Sequence, residues 1–248
     1  MNLILLREGE TTESGTVLLC DYRAKHMVKV LKSKAGDIVR IGQVNGCMGR
    51  GKVLTIQSKY PFSVEIELSL DCEAPQKSPV DLILALPRPI MLKRILSQAA
   101  SLGFGDIHIV HAARVEKSFW ESGIIEEAEY REHLLHGLEQ AVDTVLPNVV
   151  FHRRFKPFIE DYLPNIIGSY AYKVLAHPGS DKQLKELVAG GEGKTLLAIG
   201  PEGGWVKYED KKFHDAGFRS FSLGERILKV DTAVVNIHGR IMATFEGT

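Results

Sequence analysis

The chain has 248 residues, 44% of them hydrophobic, which is enough to build a core and too apolar for a disordered chain. Lys and Arg number 31 against 31 Asp and Glu, so no overall excess of positive charge points to nucleic acid, although a zero sum can hide local asymmetry. Cys20, Cys47 and Cys72 lack zinc-site spacing and read as reduced thiols, so no metal is expected, and no stretch reaches the roughly 20 apolar residues of a membrane helix.

MNLILLREGE is too short in its apolar run for a secretory signal, and a cytoplasmic location is the expectation. Over residues 1–72 the segments DIVRIGQ, GCMGRGKVLTIQ and FSVEIEL alternate only partly and are separated by Gly, Asn or Pro, the pattern of a small β-barrel or sandwich. One helix, YRAKHMVKVLKSKAGD, is predicted to place Met27, Val30 and Leu31 on one face and its lysines on the other. Between Tyr22 and Lys59 stand nine basic residues (Arg23, Lys25, Lys29, Lys32, Lys34, Arg40, Arg50, Lys52, Lys59) and one acid, Asp37. Such a stripe suits phosphate contacts that position RNA without reading its sequence.

The polar, proline-containing stretch Asp71–Pro79 reads as a linker. Beyond it, strand and helix alternate. VDLILAL is a buried strand, and PIMLKRILSQAASLG is a helix with Pro89 in its first turn, burying Met91, Ile95, Gln98 or Ala99, and Leu102. DIHIV, VVFH, KVLAH, TLLAIG and FRSFSLG follow as short strands, with helices over 124–146, 155–162, 180–189 and 206–216. A last helix is predicted from Asp231 as N-cap, burying Val234, Ile237 or His238, Ile241 and Phe245. Repeated units of this length give an α/β fold with a mainly parallel sheet covered on both faces.

Ligands of open α/β sheets bind beyond the carboxyl ends of strands, where AIGPEGG and SLGERIL lie. The spacings GxGxxG and GxxxxGK[ST] are both absent, and Glu202 would set a carboxylate beside an anion, which argues against a phosphate cradle. A ligand with cationic or neutral polar groups fits better, and a plain tight turn is the remaining reading. Trp205 and Trp120 are candidates for stacking on a base.

IGPEGG, followed about twenty residues later by LGERILKVDTA, closely resembles the signature of the SPOUT superfamily of RNA methyltransferases. In particular it resembles the family that methylates N3 of uracil 1498 in 16S ribosomal RNA. HMVKVLKSKAGDIVRIGQVNG looks like that family's N-terminal PUA-like domain, and LPRPIMLKRILSQAASLG and GLEQAVDTVLPNV look like its first helix and central segment. The resemblance implies a PUA-like RNA-binding β-barrel over 1–72 and a trefoil-knotted methyltransferase domain over 73–248, working as a homodimer on RNA of the small ribosomal subunit.

It also implies S-adenosyl-L-methionine held in the knot by Ile199, Gly200, Pro201, Gly203, Gly204, Ser222, Leu223, Gly224, Ile227 and Leu228. Arg226 would grip the RNA or the uracil carbonyl, and Glu202 would accept a proton or orient the ligand. Arg23, Lys25, Lys29, Lys32, Arg88 and Lys93 would carry RNA phosphates. Lys229 and Asp231 stand where the family usually shows Arg and Glu, and both changes keep the charge. Asp143 stands near a position where the family commonly has an arginine, so this segment is not assigned to RNA. A tRNA ribose methyltransferase of the same superfamily and a non-catalytic ribosome-assembly factor are the competing readings. The intact glycines disfavour the second.

Overall fold

The computed structural model describes residues 1–188 and 192–245. Two units emerge: Met1–Gln76 with Leu135–Leu146, and Lys77–Leu134 with the chain from Pro147 onward.

The first unit is built on β1 (Ile4–Leu6), β2 (Thr16–Leu19), β3 (Ile38–Gln43), β4 (Met48–Gln57) and β5 (Ser63–Cys72), with the short helix α1 (Tyr22–His26) between β2 and β3. The sheet order is β1-β3-β4-β5-β2; β1 runs parallel to β3 and the other pairs are antiparallel. Alternation along the strands turns Val17, Leu19, Ile41, Val53, Val64 and Ile66 inward with Met27. It turns Arg40, Arg50, Lys52, Glu65 and Glu67 to the other face. Residues 135–146 complete the unit. The N–H groups of Asn2 and Leu3 donate to the carbonyl of Glu139 (2.9 and 3.1 Å), Tyr22 Oη donates to its carboxylate (2.7 Å), and Asn45 N–H donates to the carbonyl of Thr144 (2.7 Å).

The predicted helical face of this unit is only partly right. Met27 is buried, but Val30 and Leu31 are 63% and 47% exposed. From Met27 to Leu31 the chain widens into a single π turn, which leaves Val28 against the core but rotates Val30 and Leu31 off the inner face, and Lys32 ends it in the left-handed region (φ 53°).

The second unit is a six-stranded sheet of order β11-β9-β10-β6-β7-β8, parallel throughout, so every strand opens its carboxyl end on the same edge. Its strands are β6 (Val80–Ala85), β7 (Asp106–Val110), β8 (Asn148–His152), β9 (Tyr170–Ala176), β10 (Lys194–Ile199) and β11 (Arg219–Phe221). β6 is buried along its whole length, which is why VDLILA is an apolar run rather than an alternation. The helices are α2 (Pro89–Ser101), α3 (Glu127–Ala141, whose second half belongs to the first unit), α4 (Phe155–Pro157), α5 (Leu163–Ile166), α6 (Leu184–Leu187), α7 (Lys207–Asp215) and α8 (Val230–Phe245). α2 packs against α8.

Four predicted elements differ. α2 buries Leu92, Ile95, Leu96, Ala99 and Ala100, whereas Met91, Gln98 and Leu102 are only half-buried. The helix predicted over 124–146 covers only 127–141, because Val142 takes a left-handed conformation (φ 60°) that no helix continues through. The helix predicted over 180–189 shrinks to Leu184–Leu187, and residue 189 lies outside the described residues. α8 begins at Val230, so Asp231 sits inside its first turn instead of capping it. Among the described residues no helix is long and apolar enough to cross a membrane, and no group of three His, Cys, Asp or Glu is placed to hold a metal ion.

Candidate active site

Beyond the carboxyl ends of β9, β10 and β11 lies a cavity of about 550 Å³. Its walls are the loop after β10, residues 199–205, and the loop after β11, residues 221–230, with the loop after β9 and Arg114 at the side. The GPEGG stretch is a tight turn: Gly204 N–H donates to the carbonyl of Pro201 (2.7 Å), and Gly204 has φ 75°, which favours glycine. The second loop closes on itself as well, with Gly224 N–H donating to Ser222 Oγ (3.1 Å) and Gly224 at φ 107°. Gly200 is glycine for a different reason. A Cβ there would stand 3.0 Å from the indole nitrogen of Trp205.

All twelve residues expected to hold the cofactor or do chemistry line this one cavity: Ile199, Gly200, Pro201, Glu202, Gly203, Gly204, Ser222, Leu223, Gly224, Arg226, Ile227 and Leu228. Glu202 is exposed on the turn. The N-terminus of α7 is served by Glu209, whose Oε2 accepts the N–H of Val206 (3.0 Å), so Glu202 is not spent as a cap. Arg226 is exposed on the second loop, next to Ile227, which is 81% exposed. The lining also holds Arg114, His177 and Lys229, giving three permanent cations to one carboxylate. Arg114 and His177 were missed as site residues, yet each stands within four residues past the carboxyl end of a parallel strand, β7 and β9 respectively.

The cavity also fits a group with an adenine ring and an amino-acid tail. Its volume is in the range of small-molecule sites. Apolar walls from Ile199, Phe221, Leu223, Leu228 and Ile237 stand beside loops rich in main-chain amides. The indole N–H of Trp205, buried in the wall, has no hydrogen-bond partner among the described residues.

Asp231 does not line the cavity, and both its oxygens are engaged, Oδ1 by Thr232 N–H (2.9 Å) and Oδ2 by Arg94 (3.0 Å). The tryptophans are not free to stack on a base. Trp205 packs edge-on against Phe213, and Trp120 is buried, donates to His111 Nδ1 (2.8 Å) and lies under the Arg153 guanidinium.

The cations expected to carry RNA divide sharply. Arg23 is 2% exposed, its guanidinium held by both oxygens of Glu10 (2.6 and 2.8 Å), by Asp21 (2.7 Å) and by the carbonyl of Leu5 (2.6 Å); it is an internal cross-link with nothing left for a phosphate. Burial works against all three charges, but the hydrogen bonds and opposite charges of the cluster outweigh it, leaving Arg23 firmly charged and holding Glu10 and Asp21 below the usual carboxylate range. Lys93 is paired to Glu129 (2.5 Å), and Lys29 stands over the Phe62 ring (5.1 Å). Lys25, Lys32 and Arg88 are exposed. Arg40 and Arg50, which the expected site residues did not include, are both exposed and face each other directly across β3 and β4.

A parallel α/β sheet whose strand-end loops enclose a glycine-walled cavity defines a small-molecule-binding α/β protein. The family model for the RNA methyltransferase domain matches residues 74–242, and the chain belongs to that family. It is 32% identical over 236 residues to ribosomal RNA small subunit methyltransferase E of Treponema pallidum, covering 94% of this chain and 87% of the relative. It is 26% identical over 235 residues to ribosomal RNA small subunit methyltransferase E 1 of Borreliella burgdorferi, covering 95% and 94%. Among solved structures it superposes on a ribosomal RNA small subunit methyltransferase E from Neisseria gonorrhoeae bound to S-adenosyl methionine, with a TM-score of 0.77 and 20% identity, covering 98% of this chain and 97% of the other.

Proposed function

We propose that this protein transfers a methyl group from S-adenosyl-L-methionine to N3 of a uridine, uracil 1498, in 16S ribosomal RNA. The observation that carries the reading is the convergence of the loops 199–205 and 221–230 on one cavity in a chain of the RNA methyltransferase family. Both loops supply main-chain amides and apolar surface to the cofactor, and the knot implied by the resemblance falls on these same segments. When bound, the cofactor supplies a methyl group on a sulfonium, and the nearby Glu202 suits that positive charge where it would repel a phosphate.

Methyl transfer to a ring nitrogen is in-line displacement, so the protein's work is orientation and the handling of one proton. The hydrogen on uracil N3 must leave. Glu202, exposed on the turn, would take it or orient the ring, and Arg226 would offer a guanidinium to the carbonyl oxygen on which negative charge develops; both line the cavity, which supports these roles. The first unit is the RNA-binding domain of the PUA-like type. Its cations Lys25, Lys32, Arg40, Arg50 and Lys52 are exposed for phosphate contacts. A homodimer acting in the cytoplasm completes the reading, with exposed Ile90, Ile227 and Val235 as apolar surface for the contact.

The experiment is transfer of labelled methyl from S-adenosylmethionine to small ribosomal subunits from cells lacking their own enzyme, with the product nucleoside identified by mass spectrometry. N3-methyluridine that disappears in Arg226→Ala is the expected result. Methylation of a ribose or of tRNA overturns the substrate, and bound cofactor without transfer overturns the reaction.

A further inference from the structure

A buried carboxylate must find partners, and Glu209, 2% exposed, finds them in two separate loops. Its Oε2 accepts from Val206 at the start of α7 (3.0 Å), and its Oε1 accepts from Ala113 in the loop after β7 (2.7 Å). β7 and β10 are not neighbours, because β6 lies between them, so this one side chain ties together two strand-end loops that the sheet leaves apart.

The residue after Ala113 is Arg114, exposed at the cavity. Its guanidinium donates to the carbonyl of Gly203, and its stem lies against that glycine so closely that a Cβ at 203 would stand 2.9 Å from Arg114 Cδ. Within the turn itself the closing hydrogen bond is Gly204 N–H to Pro201. Glycines have the most conformational freedom to lose, and a ligand that must order them binds more weakly by that amount. We infer that Arg114, fixed through Ala113 by the buried Glu209, is a positioning residue that holds the turn 200–204 ready for the methyl donor. The inference rests on the reading of the cavity as the donor's site.

The test is calorimetric binding of S-adenosylmethionine to the full chain, together with kinetics in which donor and RNA are varied separately. Arg114→Ala is expected to weaken donor binding and raise the donor KM by about tenfold, the scale of a lost charge-assisted hydrogen bond. The kcat at saturating donor and the RNA KM stay in place, and so does the unfolding midpoint, because Arg114 is exposed. Arg114→Lys recovers part of the loss. Gly203→Ala gives a similar loss, and the double variant is no worse than either single one, since both remove the same contact. Glu209→Gln gives a smaller loss, because one amide oxygen replaces two acceptors.

A raised RNA KM with unchanged donor affinity makes Arg114 an RNA contact and overturns the inference, as do additive losses from Arg114→Ala and Gly203→Ala. Wild-type protein that binds no S-adenosylmethionine overturns the reading of the cavity and this inference with it. Full donor affinity in both wild type and Arg114→Ala overturns this inference alone.

Discussion

Arg94 Nη1 stands 3.0 Å from Asp231 Oδ2, and this pair fastens α2 to the first turn of α8, directly after the loop that walls the cavity. Asp231→Ala is expected to lower the unfolding free energy by about 1–2 kcal/mol, since the carboxylate is buried and accepts from both Arg94 and Thr232 N–H. Arg94→Ala costs less, about 0.5 kcal/mol, because the arginine is 59% exposed and water screens it. Urea unfolding of the full chain measures both, and equal losses contradict the asymmetry.

Gly200→Ala is expected to disturb the cavity from behind. The added methyl meets the Trp205 indole, which is backed by Phe155 and Phe213 and has little room to yield. Overpacking of this kind costs about 1–3 kcal/mol. Tryptophan fluorescence in a Trp120→Phe background reports the ring directly, and an unshifted spectrum with full donor affinity would contradict the contact.

Burial lowers His238 from 6.5 to about 4, and His152 by a similar shift with help from His108. The native state therefore binds fewer protons than the unfolded chain between those values, so stability is complete above about pH 6.5 and declines as pH falls toward 4. For His238, 4% exposed beside Ser78 and Phe104, the loss is of order 3 kcal/mol. Unfolding free energies at two pH values test it. His238→Gln should flatten the slope, and an unchanged slope assigns the loss elsewhere.

Arg23 and the pair Arg40 and Arg50 should separate stability from RNA affinity. Arg23→Ala removes a buried guanidinium and its bonds to Glu10, Asp21 and the Leu5 carbonyl, and is expected to cost about 1–3 kcal/mol of stability, because Glu10 and Asp21 stay open to water. Arg40→Gln with Arg50→Gln removes a like-charge cross-strand pair, so stability is kept while RNA binding weakens and its dependence on log salt falls by about 2. Filter binding across a salt series decides. An unchanged salt slope removes these arginines from the RNA surface.

The sheet and the cavity were legible because their signals are local. A buried parallel strand is an apolar run, and a turn that needs left-handed backbone writes glycine into the chain, as at Gly204 and Gly224. The role of Arg23 was not legible. Its partners Glu10 and Asp21 flank it in sequence as ordinary surface acids, and only the fold buries the Arg23 guanidinium against both of them. The exposure of Val30 and Leu31 was hidden for a similar reason, since a single widened turn leaves no mark on hydrophobic periodicity. Arg114 and Glu209 are 95 positions apart, and their joint hold on the glycine turn depends on two loops meeting across β6.

The first unit draws on residues 135–146 as well as 1–76, and the backbone of Asn2, Leu3 and Asn45 is hydrogen-bonded to that later segment. During synthesis, the amino-terminal part therefore emerges first, but the bonds of Asn2, Leu3, Tyr22 and Asn45 wait for the middle of the chain before they close. Residues 77–134 of the second unit lie between these two pieces in sequence, so the order in which the chain leaves the ribosome differs from the order in which its parts can finish folding. An isolated fragment ending at Gln76 would lack the partners of Asn2, Leu3, Tyr22 and Asn45, and the chain cannot be divided into two independent halves by a single cut.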